Sequence, residues 1–124
     1  MLEISTTLKK QKYPKNIPYE KIMEKVLGKK FELSLVFCGG MLTKKLNKQY
    51  RNKDYVANIL TFPLSENSGE IFIKLPRNKD FSVLELFIHG LAHLKGYTHR
   101  NQIDSKEMEE FEKKIYKIFQ SKTR

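Results

Sequence analysis

Histidine occurs at only three positions in this chain, and all three lie in the run His89-Gly90-Leu91-Ala92-His93-Leu94-Lys95-Gly96-Tyr97-Thr98-His99. His89 and His93 are four residues apart, which on a helix places them one turn apart on the same face. Gly96 is suited to the left-handed conformation that ends helices, so the chain can turn back and bring His99 to the same point. An isolated histidine is ordinarily structural or merely exposed. Three at the spacing H-x-x-x-H-x-x-x-x-x-H, with a glycine between the second and third, make the pattern that gathers imidazoles around one metal ion. Neutral imidazoles bind Zn²⁺, and three of them leave a fourth position open for water, as in catalytic rather than closed structural sites. Such a metal makes hydroxide available near neutral pH and polarises a bound ester. The expected cofactor is one Zn²⁺ per chain; nickel, copper or iron also suit three imidazoles.

The spacing coincides with the zinc-protease pattern H-E-x-x-H-x-x-G-x-x-H at every ligand and at the glycine. Gly90 stands where that pattern carries its glutamate general base, which argues against peptide hydrolysis. A phosphodiester makes a different demand. Its anionic transition state is served by a metal and a nearby cation. Arg51 is the candidate cation, because a guanidinium grips phosphate through two hydrogen bonds; on position alone, a surface or helix-ending arginine explains it equally well. Lys and Arg outnumber Asp and Glu by 24 to 14, and the resulting net charge of +10 favours polyanionic partners, nucleic acid first. The charge clusters at Lys44, Lys45, Lys48, Arg51 and Lys53, and again at Lys74, Arg77 and Lys79. Candidate RNA contacts are therefore Lys44, Lys48, Lys53, Lys74 and Arg77. Tyr50, Tyr55, Phe62 and Tyr97 are able to stack on bases, and Tyr55 is the one singled out. Glu85, one turn before His89, either accepts the second N–H of a ligand imidazole or caps its own helix. No side chain stands out as a general base.

The elements that must position these residues are legible from periodicity and punctuation. With 124 residues the chain is expected to be one domain, residues 1–124. Apolar residues at 40% and charged ones at 31% fit a soluble globular protein. No apolar run approaches the ~20 residues needed to span a bilayer, and the first residues lack signal-peptide character. Cys38 is alone, so no disulfide framework is expected and the reducing cytoplasm is the expected location. Strands are predicted over residues 2–8, 31–37, 57–62 and 70–75, the last two as a hairpin. Helices are predicted from Pro18 to about residue 27, and after Gly39-Gly40 with Leu42, Leu46 and Tyr50 facing inward. A third runs from Asp80 or Ser82 to Lys95, opened by a Ser82–Glu85 capping box. It is apolar around most of its circumference, which predicts a buried central helix. Its one polar stripe is Ser82, Glu85, His89, His93 and Gly96. The last helix is predicted to open on an Asp104–Glu107 box, with Ile103 stapled against Met108.

Four blocks in this chain resemble those of one family, the YbeY endoribonucleases, also called rRNA maturation factors. HGLAHLKGYTH over residues 89–99 is similar to the family's H-G-x-L-H-L-x-G-Y-D-H. Leu46-Asn47-Lys48-Gln49-Tyr50-Arg51 is similar to L-N-x-x-Y-R, residues 57–63 to T-[DN]-V-L-S-F-P, and Gly69-Glu70-Ile71 to G-D-I. The resemblance implies an α/β (α+β) fold: a single compact domain in which a small mixed four-stranded sheet packs with helices. It places the metal at the C-terminal part of the buried helix. It implies His89, His93 and His99 as metal ligands, Arg51 as the catalytic arginine and zinc as the metal. It implies a metal-dependent single-strand endoribonuclease, a hydrolase acting in 16S rRNA maturation and ribosome quality control. The implied partners are single-stranded rRNA, the small ribosomal subunit and a ribosome-associated GTPase, with no membrane partner. Thr98 replaces the family's aspartate beside the third ligand, so a hydroxyl or another group must do that residue's work here. The rivals are a ribosome-assembly RNA-binding module with a structural metal and a zinc protease-like hydrolase.

Overall fold

The computed structural model describes residues 1–10, 12–76 and 80–120. Arg77 and Lys79 lie outside the described residues. The elements are β1 (Leu2–Thr6), α1 (Tyr19–Leu27), β2 (Glu32–Cys38), α2 (Gly40–Arg51), β3 (Ile59–Ser65), β4 (Ser68–Lys74), α3 (Val83–Lys95) and α4 (Gln102–Phe119). The four strands form one sheet in the order β1-β2-β4-β3. β1 and β4 run parallel to β2, and β3 runs antiparallel to β4, so the sheet is mixed and the fold is α+β. β1 stops at Thr6 rather than Leu8, because the Thr6 hydroxyl accepts the Leu8 N–H at 3.1 Å and turns the chain.

Alternation along each strand separates two faces. The register pairs Leu35 with Ile71, Phe37 with Ile73 and Ile59 with Ile73. Leu33, Leu35, Phe37, Ile71 and Ile73 thus form one continuous apolar face, buried with Ile22 and Met23 of α1. α3 lies against the same core with Leu84, Phe87, Ile88 and Leu91 buried. α4 joins it through Ile115 and Phe119. Burying one such side chain stabilises by about 1.5–3 kcal/mol, so α3 is held by its packing and not by helix propensity. On the opposite face Phe72 meets Phe62, and Phe62 meets Tyr50 of α2, edge to face at 5.8 and 5.5 Å.

Two glycines set how closely α3 approaches the sheet. A Cβ on Gly90 would lie 2.9 Å from Ile71 Cδ1 and 3.0 Å from Ile59 Cδ1. A Cβ on Gly69 of β4 would lie 2.7 Å from Leu94 Cδ2. The position that holds the general base in zinc proteases therefore faces the sheet in this chain.

Two sequence expectations are corrected. The fully buried residues of α2 are Thr43 and Asn47, while Leu42 and Leu46 are only half-buried and Tyr50 is exposed. Asn47 is inside because its Nδ2 donates to the Tyr55 carbonyl at 3.1 Å and ties down the loop after the helix. α4 begins one turn earlier than Asp104. Its N-cap is Asn101, whose Oδ1 accepts the Asp104 N–H at 2.8 Å. The Asp104 carboxylate is engaged with Thr98 instead, and Ile103 is exposed, so no staple forms.

Replacing Gly90 with leucine should overpack the α3–sheet contact and lower unfolding stability by about 1–3 kcal/mol, read from urea denaturation. An unchanged midpoint would contradict the close approach described for this glycine.

Candidate metal centre

α3 is fixed at both ends. The Ser82 hydroxyl accepts the Glu85 N–H at 3.1 Å, and the Glu85 carboxylate accepts the Ser82 N–H at 3.0 Å. Glu85 is thereby the capping residue and not an imidazole's partner. At the other end Gly96 adopts φ 118°, a left-handed conformation, and the Tyr97 N–H reaches the Ala92 carbonyl at 3.0 Å. This reversal satisfies the last helical carbonyls and sends the chain back over the helix end. His99 returns with it.

The three imidazoles meet through their Nε2 atoms. His93 Nε2 lies 3.2 Å from His89 Nε2 and 3.1 Å from His99 Nε2. The Nδ1 atoms explain the orientation. His89 Nδ1 is 2.7 Å from Glu112 Oε2, and His93 Nδ1 is 3.1 Å from the Tyr97 carbonyl oxygen. A carbonyl, or an ionised carboxylate, only accepts, so each of these Nδ1 atoms carries a proton, and in the neutral ring Nε2 then keeps its lone pair. With both rings neutral two lone pairs face one another, an arrangement that a shared cation resolves. Tetrahedral zinc with Zn–N bonds of about 2.0–2.1 Å sets its nitrogens about 3.3–3.4 Å apart, close to the separations here. The donor set and its spacing fit a divalent metal, and the cluster could hold one. Burial, followed by the neighbouring His89 and also His99, holds the His93 pKa below the ordinary imidazole value, against the opposite pull of the Tyr97 carbonyl and Glu112. His93 is thus neutral, the form that binds metal, at physiological pH.

α4 supplies the outer support. Glu112 lies at the edge of the apolar face of this helix, one turn after Met108 and one turn before Ile115, and it is the functional residue that sequence reasoning missed. Its place beside the apolar stripe is the available signal, but only packing of α4 on α3 brings it to His89. The His99 loop is held by the start of the same helix. The Thr98 hydroxyl donates to Asp104 Oδ2 at 3.1 Å, and Arg100 Nε donates to the Thr98 oxygen at 3.3 Å. Thr98 and Asp104 together place a carboxylate behind the loop, which answers the missing aspartate at position 98.

His89 also lines a cleft of roughly 920 Å³ shared with Arg51, Asn47 and Tyr55. Arg51 is exposed in the last turn of α2, which Asn52 ends at φ 56° in a left-handed conformation. The α2–β3 loop that Asn47 ties down then carries Tyr55 into the cleft wall. Of the other expected RNA contacts, those among the described residues do not line it. Lys44, Lys48 and Lys53 are exposed beyond it, and the Lys74 ammonium donates to the Pro76 carbonyl at 3.1 Å. Tyr50 and Phe62 pack together on the outer sheet face, and Tyr97 stacks on Phe111 at 4.7 Å. Cys38 is buried core, where desolvation pushes its thiol up to about 11.

Fold and cluster together define a small α+β domain with a three-histidine site at one end of its central helix. The chain belongs to the YbeY family: the sequence model described as "Endoribonuclease YbeY" matches residues 3–120. It is 34% identical to the endoribonuclease YbeY of Pelagibacter ubique, over 79% of this chain and 76% of that one. It is 31% identical to the endoribonuclease YbeY of a Sulfurihydrogenibium species, over 86% of this chain and 81% of that one. The solution structure of TM1509 from Thermotoga maritima is similar with a TM-score of 0.59 and 25% identity, covering 98% of this chain and 93% of that one.

Two outcomes follow for the cluster. Glu112→Leu should weaken divalent-metal affinity about 10- to 100-fold while leaving the fold intact, measured by competition with a chromophoric chelator. Metal binding requires neutral imidazoles, so occupancy should fall as the solution is acidified and return at neutral pH. A cobalt-loaded sample followed by absorbance reads this directly, and occupancy unchanged from acid to neutral pH would exclude imidazole ligands.

Proposed function

We propose that the chain is a metal-dependent endoribonuclease that cleaves single-stranded RNA, with zinc held by His89, His93 and His99 and with Arg51 as the phosphate-binding cation. The observation that carries this is a shared cleft: His89, one of three converging imidazoles, and Arg51 line the same cavity. The family match supports the choice of RNA as substrate.

Bound at the three Nε2 atoms, zinc would supply Lewis-acid charge toward a phosphodiester oxygen and acidify water. The rest falls to the chain. Arg51 has no ion pair among the described residues, so its guanidinium is available to take two phosphate oxygens. Its carrier α2 is held by the buried Asn47, which fixes where that cation stands relative to the histidines. Glu112 and the Tyr97 carbonyl hold protons on the Nδ1 atoms and so keep Nε2 free. The exposed Lys44, Lys48 and Lys53 raise the local concentration of a polyanion without contacting its reacting phosphate.

The cellular role fitting this activity is 16S rRNA maturation and ribosome quality control in the cytoplasm, with the small ribosomal subunit and a ribosome-associated GTPase as partners. No described helix is long and apolar enough to cross a membrane. Protease chemistry is disfavoured, since a side chain at position 90 would enter the sheet.

Arg51→Ala should lower the cleavage rate of single-stranded RNA about 10²- to 10³-fold without changing metal content. His93→Ala should abolish metal and cleavage together. Wild-type protein that binds about one metal per chain and RNA, yet cleaves nothing, would replace this function with an RNA-binding module. Cleavage that survives complete metal removal would overturn the metal mechanism.

A further inference from the structure

The cleft beside the histidines has more open apolar surface than phosphate binding requires. Phe81 is 49% exposed, Tyr55 54% and Val56 45%, and all three line it. Large apolar side chains exposed singly need no explanation, but three gathered in one cavity mark a binding surface. Phe81 precedes the N-cap of α3, where an apolar residue commonly packs on the first turn. That role explains one side of the ring and leaves half of it open.

The cleft holds three carboxylates and three cations, and they differ in what they already touch. Glu85 is bonded to Ser82, Glu112 to His89, and Glu109 to Lys113 at 3.1 Å. Arg51 and Lys117 line the same cleft with no ion pair among the described residues. Uncommitted cations beside open aromatic faces suit one ligand chemistry: a nucleotide whose phosphate sits on a cation and whose unstacked base lies on a ring. A base-paired duplex cannot offer that face, because its bases are already stacked.

We propose that Phe81 and Tyr55 form a nucleobase-stacking subsite, taking one unpaired base of an RNA strand whose neighbouring phosphate is held at Arg51. The inference rests on the cleft being the RNA site and goes further, because it assigns the preference for single strands to two particular rings. It makes the strand choice a property of the apolar wall and not of the metal.

The test uses metal-stripped full-length protein, so that binding is separated from cleavage. The probe is a fluorescent single-stranded oligoadenylate, compared with the same strand annealed to oligouridylate. Phe81→Ala should weaken single-strand binding about 5- to 100-fold, with the loss undiminished at high salt. Arg51→Ala should instead give a loss that shrinks as salt rises. Phe81→Trp should restore affinity, whereas Phe81→Leu should not. Binding by Phe81→Ala equal to wild type would overturn the subsite, as would full restoration by leucine, which packs but does not stack. If binding depends on Phe81 yet the metal-loaded wild type does not cleave, the subsite stands and the nuclease function falls. If the wild type cleaves and Phe81→Ala binds and cleaves identically, the subsite falls alone.

Discussion

Two imidazole lone pairs facing each other at 3.2 Å are the constraint around which this molecule is organised. Left to themselves, His89 and His93 would rotate to avoid that contact. Rotation is opposed because each Nδ1 N–H is already donated, one to Glu112 and one to the Tyr97 carbonyl. The first partner is contributed by α4 and the second by the turn that follows α3. The third imidazole arrives only because Gly96 takes a left-handed conformation. A metal-ready geometry is thus maintained by protein contacts, with second-sphere groups setting tautomer and direction.

That arrangement imposes a cost on the central helix. α3 must supply much of the core and also leave one stripe open to a cleft. The conflict is resolved by close approach on the other side. Gly90 leaves room for the Ile59 and Ile71 side chains and Gly69 for that of Leu94, so α3 packs closely on β3 and β4 and its apolar flanks are buried while His89 and His93 remain half-buried. Half-burial suits their task. It lowers the His93 pKa enough to keep the ring neutral, without closing the route by which a substrate would reach it.

The cleft beside the site carries three carboxylates and three cations. Each carboxylate already has a partner, a backbone N–H, an imidazole or a lysine, while Arg51 and Lys117 have no ion pair among the described residues. The buried Asn47 matters here although it touches no ligand. By holding the Tyr55 carbonyl it ties down the loop between α2 and β3. The lysines of α2, conspicuous in the sequence, are exposed outside the cleft.

Local rules were sufficient for much of this. The Ser82–Glu85 box, the glycine that ends α3, the β3–β4 hairpin and the histidine spacing depend on residues a few positions apart, and the structure reproduces each. The mistaken assignments were those in which a distant contact outweighs a local pattern. Asp104 reads as a helix cap until Thr98 claims its carboxylate, and Leu42 and Leu46 read as the inner face of α2 until Asn47 is needed to hold the next loop. Glu112 illustrates the limit most clearly. Twenty-three residues separate it from His89, and on its own helix it is one carboxylate at the edge of the apolar face. The sequence by itself determined which side chains were able to bind a metal and that they could converge. Only tertiary packing decided which partners their Nδ1 atoms would meet, which carboxylate would support them and which rings would border the cleft, because those outcomes depend on contacts between helices and loops that no local spacing encodes.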